Sequence, residues 1–402
     1  MPYNAIAMTM QSPELHLLLP FSLPAQRAAN YTLPALEQGA LAKFLARATL
    51  TEKSLGADFQ RTLPHERWLA QRFNVIGSTS VDEAPLAPYM LLADQAQAQA
   101  ETVAHTAAAA LDDNPPNTIV QPDESTVWAC VEPVHLQIAH DHLILIDPTH
   151  LVLAAEEAAA LLKTAQPLIT SLGITLVAPT PLRWYLSAPS LHGISGASPL
   201  RAAGRNIEIW LPRETRTDAP SRTWLKVQNE VQMAWFEHPI NQARETRGAY
   251  TANSIWLHAQ GEKRSVTRPF TSILAKTPAA RGLALAAGLS APHQIGFPPA
   301  HFNLLKPFTT APTTRAAAAK ILVELDTLSA PFLQQDWPDW AAALSALEQN
   351  WFAPALAALQ NGTLRTLTLT LCGEISSITL TATRADLRKF WRRRSTVSLL
   401  EA

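Results

Sequence analysis

The stretch Glu237-His238-Pro239-Ile240-Asn241-Gln242-Ala243-Arg244, continued by Arg247-Gly248 and Ala252-Asn253-Ser254-Ile255-Trp256-Leu257, says more about the fold than any other part of the chain. It gathers amides, arginines and a histidine where a helix ends, the chain turns and a strand begins. Trp224, Val227, Val231 and Ala234 recur at helical spacing, which predicts an amphipathic helix over 222–247. Pro239 has no amide proton and crowds the preceding turn, so a kink or break is expected inside that helix. A strand is expected over 254–258. Guanidinium forks suit oxyanions, so His238, Asn241, Arg244, Arg247 and Asn253 are the candidate ligand-binding residues, and a small phosphate or carboxylate anion is the candidate ligand. The competing reading is architectural: Asn253 closes a turn and the arginines cap the helix C-terminus.

Working outward, the chain alternates helical and strand-like segments. Strands are expected over 15–19, 126–131, 142–146, 174–177, 183–186, 207–211, 321–326, 367–371 and 378–382. Helices are expected over 35–48, 65–73, 93–111, 154–172, 279–287, 337–359 and 385–393. Glu156 and Glu157 suit the positive end of the dipole of the 154–172 helix. Asp112-Asp113-Asn114-Pro115-Pro116-Asn117 is the clearest linker signal. Strands separated by helices argue for an α/β protein with a parallel or mixed sheet.

Composition narrows the class. Of 402 residues, 47% are hydrophobic and 16% charged, enough to bury a sizeable core in two or three domains. A net charge of -1 gives no long-range attraction to nucleic acid or to an anionic membrane, and neither is expected as a partner. The two cysteines, Cys130 and Cys372, sit in apolar strand-like runs and read as buried free thiols. No apolar run reaches membrane-spanning length and no signal-peptide pattern opens the chain, so a cytoplasmic protein is expected. No protein partner is indicated.

The stretch 238–257 resembles the archaeal-type, cofactor-independent phosphoglycerate mutases. That family carries a histidine-proline-x-asparagine-x-x-arginine element, here His238, Pro239, Asn241 and Arg244. A glycine follows (Gly248), then an alanine-asparagine strand (Ala252, Asn253) that ends in a glycine pair. The pair is incomplete here, because Ala259 and Gln260 precede the single Gly261. Residues 145–162 are similar to the family's strand, Asp-rich turn and Glu-Glu-Ala helix. Most of the chain, notably 128–136, 183–186, 204–212 and 387–393, also resembles the RpfE-type regulatory proteins of proteobacteria. The resemblance implies an alkaline-phosphatase-like α/β domain, its parallel or mixed sheet built from both chain ends (1–118 and 263–402). An inserted α+β domain would span 119–262.

The same resemblance implies phosphoryl transfer with two divalent cations, manganese or zinc, held by Asp and His at the carboxyl ends of strands. The sequence departs from that pattern. Where the family has aspartate-glycine after the first strand, this chain has Pro20-Phe21. Where it has aspartate-histidine, Cys372-Gly373-Glu374 follows the strand 367–371; after 321–326 only Asp326 remains, before Thr327-Leu328-Ser329. The expectation is therefore a catalytically degenerate protein with a binding or regulatory role and no cofactor. The alternative is an active metal-dependent phosphotransferase; a weaker one is a nucleic-acid regulator acting through Arg388, Lys389 and Arg392-Arg393-Arg394. His140 and His142 would share a face if they lie in one strand, which makes them candidate metal ligands near His135, His150, Asp141 and Asp147. The ordinary reading of that cluster is a polar hairpin turn. Ser195 and Ser198 lack the spacing of a nucleophile elbow and read as loop. Trp337 and Trp340 share a helical face and could seal a cleft.

Overall fold

The computed structural model describes residues 11–24, 28–37, 39–78, 82–108, 120–217, 219, 221–309, 318–392 and 394. The expected linker at 112–117 and Arg393 lie outside the described residues. The strands, in chain order, are β1 (Glu14–Leu19), β2 (Thr49–Leu55), β3 (Val127–Val134), β4 (Leu136–Ala139), β5 (His142–Leu145), β6 (Thr175–Thr180), β7 (Arg183–Ser187), β8 (Ile194–Ser195), β9 (Arg213–Glu214), β10 (Ser254–Glu262), β11 (Ser272–Leu274), β12 (Ile295–Gly296), β13 (Lys320–Glu324), β14 (Thr366–Cys372) and β15 (Ser376–Thr383). The chain divides into two compact units, one of residues 1–56, 268–276 and 288–402, the other of 57–267 and 277–287.

The first unit is built on a seven-stranded mixed sheet, β12-β11-β13-β1-β14-β15-β2. Its centre joins the two ends of the chain: β1 runs parallel to both β13 and β14, with Leu17 in register with Val323 and Leu369. Leu17, Leu18 and Leu19 are wholly buried, the continuous apolar run that a parallel strand covered on both faces requires. β15 and β2 close the sheet in antiparallel fashion. The helix expected over 337–359 is interrupted: Trp337–Leu347 passes through a π-helical turn, Glu348–Phe352, into Ala353–Asn361. Pro354 has no amide to continue the α-helical ladder there. The run 35–48 likewise divides into Ala29–Leu36 and Gly39–Arg47.

The second unit contains a four-stranded antiparallel sheet, β10-β3-β7-β6. Alternation along these strands gives the sheet two unlike faces. Ala129, Val131, Trp184, Leu186, Ile255 and Leu257 point to an apolar core shared with the helices Ala155–Ser171 and Arg222–Phe236. Cys130, Glu132, Arg183, Tyr185 and His258 alternate with them, and Asp94 of the helix Ala87–Ala108 reaches Arg183 and Tyr185. This helix and Pro64–Arg72 belong to the second unit, so the division of the chain differs from the boundaries read at 118 and 262. Close packing explains the assignment of residues 277–287 as well. Gly282 lies so near the carbonyl of Tyr89 that a Cβ there would collide with backbone.

Three further expectations are corrected. The single helix expected over 222–247 is two, Arg222–Phe236 and Pro239–Thr246, the expected break falling where Pro239 opens the second. The strand expected over 207–211 is a 3-10 turn, Ile207–Ile209, capped by Asn206. The closing basic helix is a single turn, Arg384–Leu387. Strand β2 was not foreseen: Thr49–Leu55 is mostly exposed and polar, and only pairing with β15 makes it a strand.

Candidate functional site

The motif at 238–257 folds into a joint between two helices and a strand. His238 is the N-cap of Pro239–Thr246: its Nδ1 accepts from the Ile240 amide at 3.2 Å, and Nε2 lies 3.2 Å from Thr164 Oγ1. Burial holds its pKa below the ordinary histidine value. Asn241, buried, donates to the carbonyls of Trp235 (2.9 Å) and Ala252 (2.8 Å) and accepts from the Ala252 amide at 3.0 Å. It thereby ties the end of one helix to the start of β10. Asn253 pairs with both backbone groups of Leu136, at 2.7 and 2.8 Å, as a neighbouring strand would.

Arg244 is 1% exposed, and each of its side-chain nitrogens donates to a protein oxygen. Nε binds the Tyr250 carbonyl at 2.7 Å, Nη2 the Leu151 carbonyl, and Nη1 the Glu157 carboxylate at 2.5 Å and the Val152 carbonyl at 3.4 Å. Arg247, half exposed, meets the other oxygen of Glu157 at 2.5 Å. Burial opposes ionisation of Glu157, but donors from Arg247, Ala154 and Arg244 outweigh it and hold the carboxyl below its usual range. A cavity of about 590 Å³ adjoins the joint, lined in part by Thr149, His150, Arg244, Arg247, Gly248 and Tyr250. The candidate ligand-binding residues are therefore brought together, with Asn241, Arg244 and Asn253 engaged in internal hydrogen bonds and Arg247 at the surface.

The histidine pair is separated by its backbone. His140 occupies the turn between β4 and β5 with φ 50°, while His142 opens β5 opposite Ala139. The premise that both imidazoles project from one strand face is thus corrected; His142 Nδ1 pairs with the exposed Asp141 at 2.9 Å. Ser195 lies in the two-residue strand β8, and Ser198 precedes the helical turn Pro199–Ala202. In the basic run, Lys389 and Arg392 pair with Asp386 at 2.7 and 3.7 Å.

At the carboxyl ends of β1, β13 and β14 the parallel registers set Leu18 beside Glu324 and Leu19 beside Leu371, so the residues that follow meet. The Ser22 amide donates to the Cys372 carbonyl at 2.8 Å. The Ser22 hydroxyl donates to Leu19 and accepts from the Cys372 amide at 3.2 Å. Phe21 packs on Phe332 at 5.1 Å, Phe332 packs on Trp337, and Trp340 donates to the Phe21 carbonyl at 3.0 Å. These aromatic rings close over the strand ends. Phe21 takes φ 52°, a left-handed conformation that glycine adopts without cost and a bulky side chain does not. A Cβ on Gly373 would stand 2.8 Å from the Leu23 carbonyl, so the loop after β14 needs glycine.

Sequence reading passed over the polar face of the inserted sheet. Arg183 bridges two acids there: Nη1 reaches Asp94 at 2.8 Å and Nε reaches Glu132 at 2.9 Å, while Tyr185 donates to Asp94 at 2.6 Å. Burial would raise the Glu132 carboxyl, but Arg183 and His258 outweigh it, and its pKa falls to about 2. Burial pushes the Cys130 thiol well up. Nearby, burial raises the Glu66 carboxyl, and burial with Arg201 lowers His65 to about 3. The available signal was the alternation Cys130-x-Glu132 within an apolar strand.

No protein-family model matches the sequence, and no curated protein matches it. Among solved structures it is similar to a cofactor-independent phosphoglycerate mutase from Thermoplasma acidophilum, with 11% identity and a TM-score of 0.40 over 98% of this chain and 95% of that one. It is also similar to the PH0037 protein from Pyrococcus horikoshii, with 11% identity and a TM-score of 0.42 over 98% of this chain and 93% of that one.

Proposed function

We propose that this chain is a non-catalytic relative of the phosphoglycerate mutases, akin to the RpfE-type regulatory proteins, that acts by binding. The observation that carries the reading is the composition of the strand ends. Phosphoryl transfer through two cations needs carboxylates and imidazoles there. Glu324 and Asp326 supply carboxylates at the end of β13 and just past it, but the residues that follow β1 and β14 are Pro20, Phe21, Ser22, Cys372 and Gly373, with no imidazole among them, under a cover of Phe332, Trp337 and Trp340. Phe21 stands at the family's glycine position and keeps a backbone angle suited to glycine, which supports descent from a chain that once had it. The ligand of the binding role is a small phosphate or carboxylate anion, taken in the cavity beside Arg247, Gly248 and Tyr250.

Two measurements test this. Interconversion of 3- and 2-phosphoglycerate should be undetectable with or without manganese; manganese-dependent turnover abolished by Asp326→Asn would restore the phosphotransferase reading. Calorimetric titration with inorganic phosphate and 3-phosphoglycerate should detect binding, weakened roughly fivefold by Arg247→Ala, the equivalent of about 1 kcal/mol for a surface charge-assisted contact. No heat from wild-type protein at millimolar anion would remove the anion-binding role.

A further inference from the structure

Cys130, Glu132 and His258 form a second constellation, away from the joint at 238–257. Cys130 and Glu132 stand two apart on β3 and project from one face, and His258 of β10 lies opposite Cys130 in register. Just past His258 the strand bulges, with Ala259 at φ 57° and Gly261 at φ 150°. Bulges of this kind re-aim side chains at the edge of regular pairing. The Cys sulfur, a Glu oxygen and a His nitrogen lie within 4.8 Å of one another, the one such group of at least three potential ligands among the described residues. Cys130 is wholly buried and His258 is 6% exposed. His258 Nε2 is 3.5 Å from Glu132 Oε1 and makes no hydrogen bond.

We propose that Cys130, Glu132 and His258 form a binding site for a thiophilic divalent cation of the zinc class. Thiolate, imidazole and carboxylate are the donors zinc takes, whereas magnesium and calcium prefer oxygen alone. Zinc bonds of about 2.0–2.3 Å set ligand atoms roughly 3.5 Å apart, within reach of side-chain rotation from the arrangement seen. Arg183 at 2.9 Å from Glu132 Oε1 would orient the carboxylate while leaving its other oxygen as a donor. The Cys130 thiol gives its proton to solvent as the sulfur–metal bond forms, so one proton leaves per cation and nothing is oxidised.

The test is titration of metal-free, full-length protein with cobalt(II). One equivalent should bind, with tetrahedral d–d bands, a thiolate-to-cobalt charge-transfer band, and release of one proton. Zinc should displace it. Cys130→Ser should abolish the charge-transfer band and His258→Ala should weaken binding at least tenfold, while Cys372→Ser should change neither. Absent stoichiometric binding, or a charge-transfer band that survives Cys130→Ser or is lost in Cys372→Ser, would overturn the proposal. Should Cys130→Ser fail to fold, X-ray absorption at the zinc edge of the Cys372→Ser protein decides. One sulfur in the metal's shell supports the site, and a shell of nitrogen and oxygen alone refutes it.

Discussion

Replacing Arg244 by alanine separates an architectural arginine from a ligand-binding one. In the folded protein its guanidinium supplies the carbonyls of Tyr250 and Leu151, reaches Val152, and neutralises Glu157. Alanine leaves those acceptors without their donor at a site 1% exposed. Each orphaned buried acceptor costs about 1–3 kcal/mol, and breaking a buried ion pair costs about 3–5 kcal/mol. The terms are not additive. Arg247 stays on Glu157, and water from the adjoining cavity can reach some of the carbonyls, so about 3 kcal/mol is expected. For a unit of this size that lowers Tm by roughly 6–12 °C. Arg244→Lys keeps the charge but loses the fork and should lose about half as much. Calorimetry and near-ultraviolet circular dichroism would follow the transition of the second unit. A double-mutant cycle with Glu157→Gln would isolate the pair. If Arg244→Ala unfolds within 2 °C of wild type while anion affinity falls tenfold, the architectural reasoning is wrong.

Other consequences follow from the same structure. Asn241→Ala removes three hydrogen bonds between helix and strand and should cost about 2–3 kcal/mol in urea unfolding; a change below about 0.5 kcal/mol would contradict its role as a tie. Gly282→Ala drives a methyl into the Tyr89 carbonyl and should destabilise by about 2–3 kcal/mol, visible as a lower urea midpoint; an unchanged or raised midpoint would show that the two helices can part freely. Burial, then Arg201, holds His65 near pKa 3 in the fold against about 6.5 when unfolded, so the unfolded chain binds the extra proton between those values. Stability should therefore fall from pH 6.5 toward 3, by about 2–3 kcal/mol at pH 4.5, and His65→Gln should flatten that slope. Glu132, depressed to about 2, stabilises above its unfolded value near 4.5 and contributes to loss only as pH falls from there toward 2. An identical pH 7 to 4.5 difference in wild type and His65→Gln would refute the assignment to His65.

Local chemistry made several elements readable directly. The leucine run of β1 could only be a buried strand, and Glu156-Glu157 opened a helix now seen at Ala155–Ser171. Pro239 announced a break, though its position one residue after a capping histidine, which makes the break a helix start, emerged only with His238 Nδ1 on the Ile240 amide. Periodicity misled at 207–211, where an alternating pattern curls into a 3-10 turn, and it was silent at β2, whose exposed polar residues become a strand through their partner β15. Composition identified Asn241, Arg244 and Asn253 as polar residues with a purpose. It could not say that their partners would be carbonyls and Glu157, since Leu151, Glu157 and Leu136 come from other segments. The convergence of Pro20, Asp326 and Cys372 was anticipated from resemblance, but the aromatic cover over those ends depends on where Phe332 and Trp340 land. The acidic, basic and thiol groups on the inner face of β3, β7 and β10 were legible singly and meaningless until register set Cys130 opposite His258 and Tyr185. Sequence specifies period and cap because those depend on neighbours along the chain. Which polar groups meet across a sheet is decided by register and crossover, which no local pattern encodes.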